Sequence, residues 1–440
     1  AYGVPAQAFE FQTENGWLGS FNNTISVGAS WRAEGPNRKL FSAGDGNRIG
    51  ELGGMGGSNT SSGTLNWDKG DRFTTPFKLL SELSLKKGAM GAFLRAKAWY
   101  DQALNDEKVR VGNGDNGHKA NSKLSDSSQP RLNKFDGIEL LDAYVYNTFQ
   151  VGDNPLQLRA GRQVVNWGES LFIQGLNQLN PLDVPALRRP GTEVKEAMLP
   201  VWSLYGNLGL GNGVSVEGFY QFKWEPSVFD TCGLYWAPVE WGMSASTGSA
   251  RCRQVVTSAG LVGNVAAYNG GLFIPQVKGK EGSDSGQYGV ALRLPLKAID
   301  AEMGFFAMQI SSRTPFVSGR TGTWGAVPVG HPARTTLNPL PAHEKALAAA
   351  GVRSAVGFWE YPDDIRLYGI SLSTNVAGWS VGAELSLSPN QPVQLNGNDL
   401  LYAIVTGRGP MGATSRTATA QGGGTYISGY DRLRKTLIKL

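Results

Sequence analysis

The chain has 440 residues and a formal net charge of +5, and it contains 41% hydrophobic residues, 10% aromatic residues and 59 glycines. No apolar run approaches the roughly 18 residues that a membrane-spanning helix requires, which excludes a helical membrane protein. The positive charges are scattered and form no basic stripe interleaved with aromatic residues, which excludes a nucleic-acid-binding protein.

The first element in chain order, WLGSFNNTISVGASW at residues 17–31, alternates between apolar and polar side chains. The same period of two recurs in SVEGFYQFKWE at 215–225 and in WSVGAELSLS at 379–388. Such alternation predicts β-strands with one apolar and one polar face. Further stretches of this kind lie near 73–86, 90–103, 136–151, 155–166, 198–209, 286–296, 299–311 and 363–374, with a less regular one near 423–438. The sequence therefore predicts an all-β, antiparallel protein with about twelve strands of roughly 10–16 residues.

The connections between these strands alternate in length. Short turns are predicted at 86–89, 152–155, 209–213, 296–298 and 375–378. Long polar connections are predicted at 33–72, 104–135, 167–197, 226–285, 312–362 and 390–422. The predicted strands are well above the usual length of about five or six residues. Such strands, joined by short periplasmic turns and long extracellular loops, are typical of a transmembrane β-barrel of the outer membrane. The alternative is a soluble sandwich whose apolar faces meet in a core.

In the barrel interpretation, the apolar edge of each strand faces lipid and the polar edge lines the interior. The residues predicted to face lipid are Trp17, Phe21, Val27, Trp31, Val216, Tyr220, Phe222, Trp379, Val381 and Leu385. The expected location is the outer membrane of a Gram-negative bacterium, in contact with outer-membrane lipid or lipopolysaccharide.

Two cysteines, Cys232 and Cys252, lie in the long connection at 226–285. No cluster of His or Cys accompanies them, so the pair predicts a disulfide rather than a metal site. Such a crosslink contributes roughly 3 kcal/mol and would pin this connection on the extracellular side. Two free thiols in a reducing cytosol are the alternative. The chain begins without Met, as an exported protein does after its signal peptide has been cleaved.

The three histidines, His118, His331 and His343, lie in long connections, and none lies on a predicted strand. They lack the ligand spacing of a metal site and cannot supply the general base of a barrel enzyme. The sequence therefore predicts no catalytic residue, no metal and no other cofactor.

The connection at 167–197 contains more apolar residues, prolines and paired charges than a solvated loop requires. Its composition predicts a segment folded inward against the barrel wall, and a structured external loop is the alternative. In the inward arrangement, Arg188 or Arg189 would pair with an acid and narrow the passage. The candidate residues for this constriction are Arg188, Arg189, Glu169, Asp183, Glu193 and Glu217.

Three segments, GRQVVNWGESLFIQG, NPLDVPALRRPG and KEAMLPV, resemble the signature core of a proteobacterial family known as domain-of-unknown-function family 1302. The likeness continues through LNWDKGD, FYQFKWEPS, EYPDDIRLYGISLSTN and YISGYDRLRKT, in order and over almost the whole chain. The resemblance implies an outer-membrane β-barrel. Genes of the family often neighbour exporters of the resistance-nodulation-division class and a lipoprotein, which implies both as partners. Family members extend further, so the resemblance also implies closing strands beyond LRKTLIKL.

The function expected from these features is a channel or transporter for hydrophobic or amphipathic, lipid-like small molecules, working with an inner-membrane exporter. Two other classes stay open. One is a non-conducting surface barrel that serves as a receptor or structural platform, and the other is a barrel enzyme that acts on lipids. Residues 1–440 are expected to form a single domain.

Overall fold

Eleven long strands follow one another in chain order through a single antiparallel sheet, and each is hydrogen-bonded to the next. The computed structural model describes residues 2–3, 9–56, 62–127, 129–169, 175–237, 252, 254–256, 263, 265–266, 273–321, 355–407, 409–412, 418–421, 424–432 and 437–439. The long strands are β1 (Leu18–Val27), β2 (Pro76–Lys87), β3 (Met90–Asp101), β4 (Asp136–Val151), β5 (Asn154–Gln163), β6 (Val201–Gly209), β7 (Ser215–Gln221), β8 (Gln287–Leu296), β9 (Ala301–Ile310), β10 (Ile365–Val376) and β11 (Trp379–Ser388).

Shorter strands extend both edges of this sheet to 14 strands. Tyr2–Gly3 and Phe9–Gln12 pair with β1, and Leu437–Lys439 pairs with β11. The predicted all-β, antiparallel architecture is therefore confirmed. Among the described residues, no strand pairing joins the two edges of the sheet into a closed barrel. None of the helices in the described part of the chain has the length and apolar character needed to span a membrane.

The links between consecutive long strands alternate in length. The short links are residues 88–89, 152–153, 210–214, 297–300 and 377–378, and the long ones are 28–75, 102–135, 164–200, 222–286 and 311–364. In the link between β10 and β11, Ala377 and Gly378 have φ values of 50° and 85°, the backbone geometry that a two-residue hairpin requires. Because consecutive strands are antiparallel, all five short links lie at one end of the sheet and all five long links at the other.

The long connections contain short elements of their own. The α-helices are α1 (Ala43–Asn47), α2 (Gln102–Asp106), α3 (Val184–Arg188), α4 (Val194–Ala197) and α5 (Gly397–Thr406). The 3-10 helices are Arg38–Leu40, Ser62–Leu65, Arg131–Asn133 and, in a short link, Lys297–Ile299. The small sheets pair Ser30–Trp31 with Arg72–Thr74, Lys108–Val109 with Ser122–Lys123, Gln254–Val256 with Phe273–Pro275, and Pro392–Gln394 with Tyr430–Arg432. A four-stranded sheet contains Val356–Glu360, Phe316–Arg320, Gly424–Ile427 and Ala418–Gln421.

The predicted disulfide between Cys232 and Cys252 is present. The two Cα atoms are 5.8 Å apart, within the usual range for a disulfide, and both residues are buried. The prediction of a crosslink within the connection that follows β7 is therefore confirmed. The extracellular position of this connection stays a prediction.

The two faces of the large sheet differ in chemical character, because successive side chains of a strand point to opposite faces. One face, named the outer face here, carries exposed apolar side chains: Ile25, Phe77, Leu79, Leu94, Tyr100, Ile138, Val145, Phe149, Trp202, Leu204, Val216, Tyr220, Tyr288, Val290, Phe305, Tyr368, Ile370, Val381 and Leu385. The opposite, inner face carries buried polar side chains: Ser26, Lys78, Lys97, Glu139, Asp142, Gln163, Ser203, Glu217, Gln221, Gln287, Ser371 and Ser386.

The residues predicted to face lipid are accessible in the structure, with one partial exception. Exposed side chains occur at Phe21, Val27, Trp31, Val216, Tyr220, Phe222, Trp379, Val381 and Leu385. Trp17 is half-buried. The nine exposed side chains take no part in a buried core, which the sandwich alternative would have required of them. Their contact with lipid stays a prediction.

Candidate functional site

The described residues of the connection between β5 and β6, 164–169 and 175–200, are named the strap here and lie on the inner face of the sheet. Its first half is anchored by Trp167, whose ring centroid lies 5.0 Å from that of Phe219 on β7. The Trp167 Nε1 atom donates a 2.7 Å hydrogen bond to Glu217 Oε2, also on β7. The buried cluster around this anchor contains Val165, Leu176, Leu179, Tyr205, Phe306, Met308, Ile310, Ile365 and Leu367. The strap thus covers apolar positions on the inner face from β6 to β10.

The Glu384 carboxylate on β11 holds the first half of the strap at two points, Glu169 and Leu176. Glu384 accepts a 2.9 Å hydrogen bond from the Glu169 backbone N–H and a 2.7 Å bond from the Leu176 backbone N–H. The Leu176 side chain lies directly over Gly369 of β10, where an added Cβ would come within 2.5 Å of it. The absence of a side chain at Gly369 therefore allows the strap to approach the sheet closely.

We expect Glu384→Gln to lower the free energy of unfolding by about 1.5 kcal/mol, because one of the two charge-assisted hydrogen bonds is lost and the other is weakened. Limited proteolysis should also cut the strap faster in this variant. Chemical unfolding of the purified protein measures the first effect. Glu281→Gln is the matched control, since its pair with Lys278 is long, at 3.8 Å, and exposed. Equal effects of the two substitutions would contradict an anchoring role for Glu384.

The second half of the strap folds into α3 and α4. Asp183 caps the N-terminus of α3 by accepting a 3.0 Å hydrogen bond from the Ala186 N–H, and Pro185 occupies the first turn. A reciprocal capping box between Glu193 and Glu196 begins α4. These local signals explain why the chain forms two short helices at this point.

Ion pairs attach this second half to β2 and β3. Lys97 Nζ lies 2.7 Å from Asp183 Oδ2, and Lys78 Nζ lies 3.2 Å from Glu196, with all four side chains buried. Lys78 also donates to the Gly191 carbonyl at 2.9 Å. A third, more exposed pair joins Lys195 to Glu82 at 3.2 Å. Buried charges are stable only when they are paired and hydrogen-bonded, so these lysines fix the position of the helices.

The strap crosses the sheet between distant strands. Leu176 is bound to β11 and Asp183 to β3, and the two residues are seven positions apart in the chain. Both contacts are made through long side chains, those of Glu384 and Lys97, which extend the reach of this short segment. Pro190 also meets the chain just beyond β1, against Gly28.

Arg313, which follows β9, ties the centre of the strap to the neighbouring connections. Its guanidinium donates to the Leu179 carbonyl at 3.0 Å, the Glu225 carbonyl at 3.1 Å and the Gln221 and Gln287 side-chain oxygens at 2.6 and 3.0 Å. Burial lowers the pKa of Arg313 to about 9, which leaves the side chain charged at neutral pH. Four oxygen acceptors thus replace its hydration shell.

Arg188 of the predicted constriction pairs with an acid outside the strap. It forms an ion pair with Asp230 and donates to the Trp236 carbonyl at 3.2 Å. Burial raises the pKa of Asp230, and the positive charges of Arg188 and Arg189 oppose that rise. The guanidinium of Arg189 lies 5.9 Å from the centroid of the Trp99 ring on β3.

The four predicted acids have other partners. Asp183 is paired with Lys97, Glu193 with Lys195 at 3.1 Å, and Glu217 with Arg293 at 2.6 Å. The Glu169 side chain lies against Gly382 on β11. In the described part of the chain, none of these four carboxylates forms an ion pair with Arg188 or Arg189.

Sequence reasoning missed Lys78, Lys97 and Glu384, although their positions contain a signal. Each lies on the polar edge of an alternating strand. A serine, asparagine or glutamine could be buried there at a lower cost in free energy than a charged residue. A charged residue at such a position indicates a buried partner. Asp230 has no comparable signal, because it lies in an irregular connection.

No curated protein matches this sequence. A protein-family model described as a protein of unknown function (DUF1302) matches residues 1–440. The chain belongs to this family. The predicted family membership is thereby confirmed. Two of the segments that carry the resemblance of this DUF1302 protein, residues 180–191 and 195–201, form the second half of the strap and its junction with β6.

Proposed function

We propose that this DUF1302 protein is an outer-membrane β-barrel that passes hydrophobic or amphipathic small molecules, with the strap as the element that occupies its interior. The observation that carries the proposal is the contrast between the two faces of the sheet. The outer face exposes apolar side chains on strands from β1 to β11, whereas the inner face is polar and paired with the strap. A soluble protein rarely exposes an apolar surface of this extent, and a membrane barrel requires one.

The surface beneath the strap supports an apolar or amphipathic cargo. Water-filled barrels have a polar interior. Here the inner face also contains Phe219, Phe306 and Met308, which the strap covers with Trp167 and Leu176. A displacement of the strap would uncover an apolar track along the polar wall. In this proposal the protein works in the outer membrane of a Gram-negative cell, and an inner-membrane exporter and a lipoprotein supply or receive the cargo.

A reversible lock on the strap tests the proposal. An ideal Cβ at Gly382 would lie 3.2 Å from Glu169 Cβ, within a few tenths of an ångström of the usual disulfide range. We expect oxidised Glu169→Cys/Gly382→Cys protein in lipid vesicles to release the trapped amphipathic dye 8-anilinonaphthalene-1-sulfonate at least about tenfold more slowly than the parent. Dithiothreitol should restore the rate.

The two single-cysteine variants and the dithiothreitol-treated parent are the controls, and vesicles without protein give the background leak. A parent rate equal to that background would contradict the transport function. Membrane insertion combined with such a background rate would favour the receptor or platform alternative. A locked variant as fast as the parent would contradict the role of the strap.

A further inference from the structure

A small cavity lies where α3 of the strap meets the connection that follows β7. Its volume is about 40 Å³, which holds a carboxylate-sized group. The residues around it include Asn133, Arg188, Arg189, Asp230, Tyr235 and Trp236. The lining thus combines two arginines and one acid with an aromatic wall.

The charges of this lining leave one positive charge in excess. Arg188 is paired with Asp230, but Arg189 forms no ion pair within the described residues, and its guanidinium lies 5.9 Å from the centroid of the Trp99 ring. A half-buried guanidinium beside a cavity favours an anion there, because its own hydration is incomplete. The excess of one charge is complementary to a singly charged anion.

A second polar group of the lining is incompletely bonded. Asn133 is only 7% exposed, and its Nδ2 atom donates a 2.7 Å hydrogen bond to the Phe229 carbonyl. Its Oδ1 atom is buried and accepts no hydrogen bond from the described residues. Buried acceptors are usually satisfied, so this oxygen indicates a water molecule in the cavity, which can donate one hydrogen bond to Asn133 and the other to a bound anion.

The aromatic wall continues from the cavity to the surface. The rings of Phe73 and Tyr235 are stacked with centroids 4.0 Å apart, and the ring of Trp236 meets Tyr235 edge-on at 4.9 Å. Trp236 is 47% exposed. A flat apolar body can therefore lie on Trp236 at the mouth while a charged head enters toward Arg189.

We propose that this cavity binds the carboxylate of a singly charged amphipathic molecule whose flat, apolar body stacks on Trp236. The carboxylate receives hydrogen bonds from the Arg189 guanidinium, which suits two parallel bonds to a planar anion. This inference deepens the proposed function, since it names the class of cargo that the strap recognises. Equilibrium binding of the ligand does not require its transport across the membrane, so the binding site and the transport function can be refuted separately.

Binding of 2-naphthoate and of its neutral isostere 2-naphthamide to the full-length protein, measured by isothermal titration calorimetry, tests the inference. We expect the parent to bind naphthoate about tenfold more tightly than naphthamide. Arg189→Gln should abolish this preference and Arg189→Lys should restore part of it. Trp236→Ala should lower the affinity for both ligands to a similar degree.

Arg38→Gln is the charge-matched control, because Arg38 is exposed on another long connection. It should leave the preference unchanged. The inference is wrong if the parent binds neither ligand, if it binds both equally, or if Arg189→Gln keeps the preference. Tight naphthoate binding with no dye release from vesicles would support the site and contradict the transport function.

Discussion

Val290→Arg should lower the free energy of unfolding by about 2–4 kcal/mol in lipid vesicles and reduce the yield of assembled protein. Val290 lies on the outer face near the middle of β8, and its side chain is 58% exposed. In a bilayer, an arginine at this position must leave water for hydrocarbon, whereas on a soluble protein it would stay hydrated. Guanidinium unfolding of the protein in vesicles measures the free energy.

Leu52→Arg is the control, because Leu52 is 69% exposed on the long connection between β1 and β2. Its effect should stay within about 0.5 kcal/mol, as is usual for exposed positions. If both variants unfold like the parent, the outer face is hydrated and the membrane proposal fails. If Val290→Arg and Leu52→Arg lose stability equally, the loss does not show that Val290 contacts lipid.

Lys97→Met should cost about 3–5 kcal/mol, because it leaves the buried Asp183 carboxylate without its cation. The strap should detach first, so proteolysis within residues 164–200 should precede global unfolding. Asp183→Asn in the same chain removes the unpaired charge and keeps an acceptor for the Ala186 N–H. We therefore expect the double variant Lys97→Met/Asp183→Asn to be more stable than Lys97→Met alone.

Lys123→Met provides the control for this second prediction. Lys123 pairs with Asp106 at 3.2 Å, but both side chains are largely exposed. Its loss should cost less than about 1 kcal/mol. A Lys97→Met effect as small as that of Lys123→Met, or a double variant less stable than Lys97→Met, would refute the view that a buried charge pair holds the strap.

The architecture of the sheet is largely predictable from the sequence. A period of two assigns Val216 and Val381 to one face and Glu217 and Glu384 to the other, and the structure has the same assignment. Glycine and short polar stretches mark the hairpins because tight turns require positive φ. These features are local, so a single sequence contains them.

The pairings of the strap are much less predictable. Arg188 meets Asp230, 42 residues further along an irregular connection, where no periodicity fixes which side chain points where. Lys97 meets Asp183, 86 residues further along the chain, because the strap folds back over the sheet, and that path is set by many contacts together. The composition of the strap indicates that it folds against protein, but its partners depend on tertiary geometry.

The hydrogen bond between Leu176 and Glu384 joins residues 208 positions apart, so the anchoring of the strap is among the most non-local contacts of the chain. Non-local contacts form slowly, because a long loop must close before they gain any energy. A chain made from its N-terminus completes the strap before β7 to β11 exist. Until β11 is in place, Trp167 and Leu176 have only part of the surface that covers them. The growing chain therefore carries an aggregation-prone apolar segment, which must be kept from other chains until the last long strand has paired.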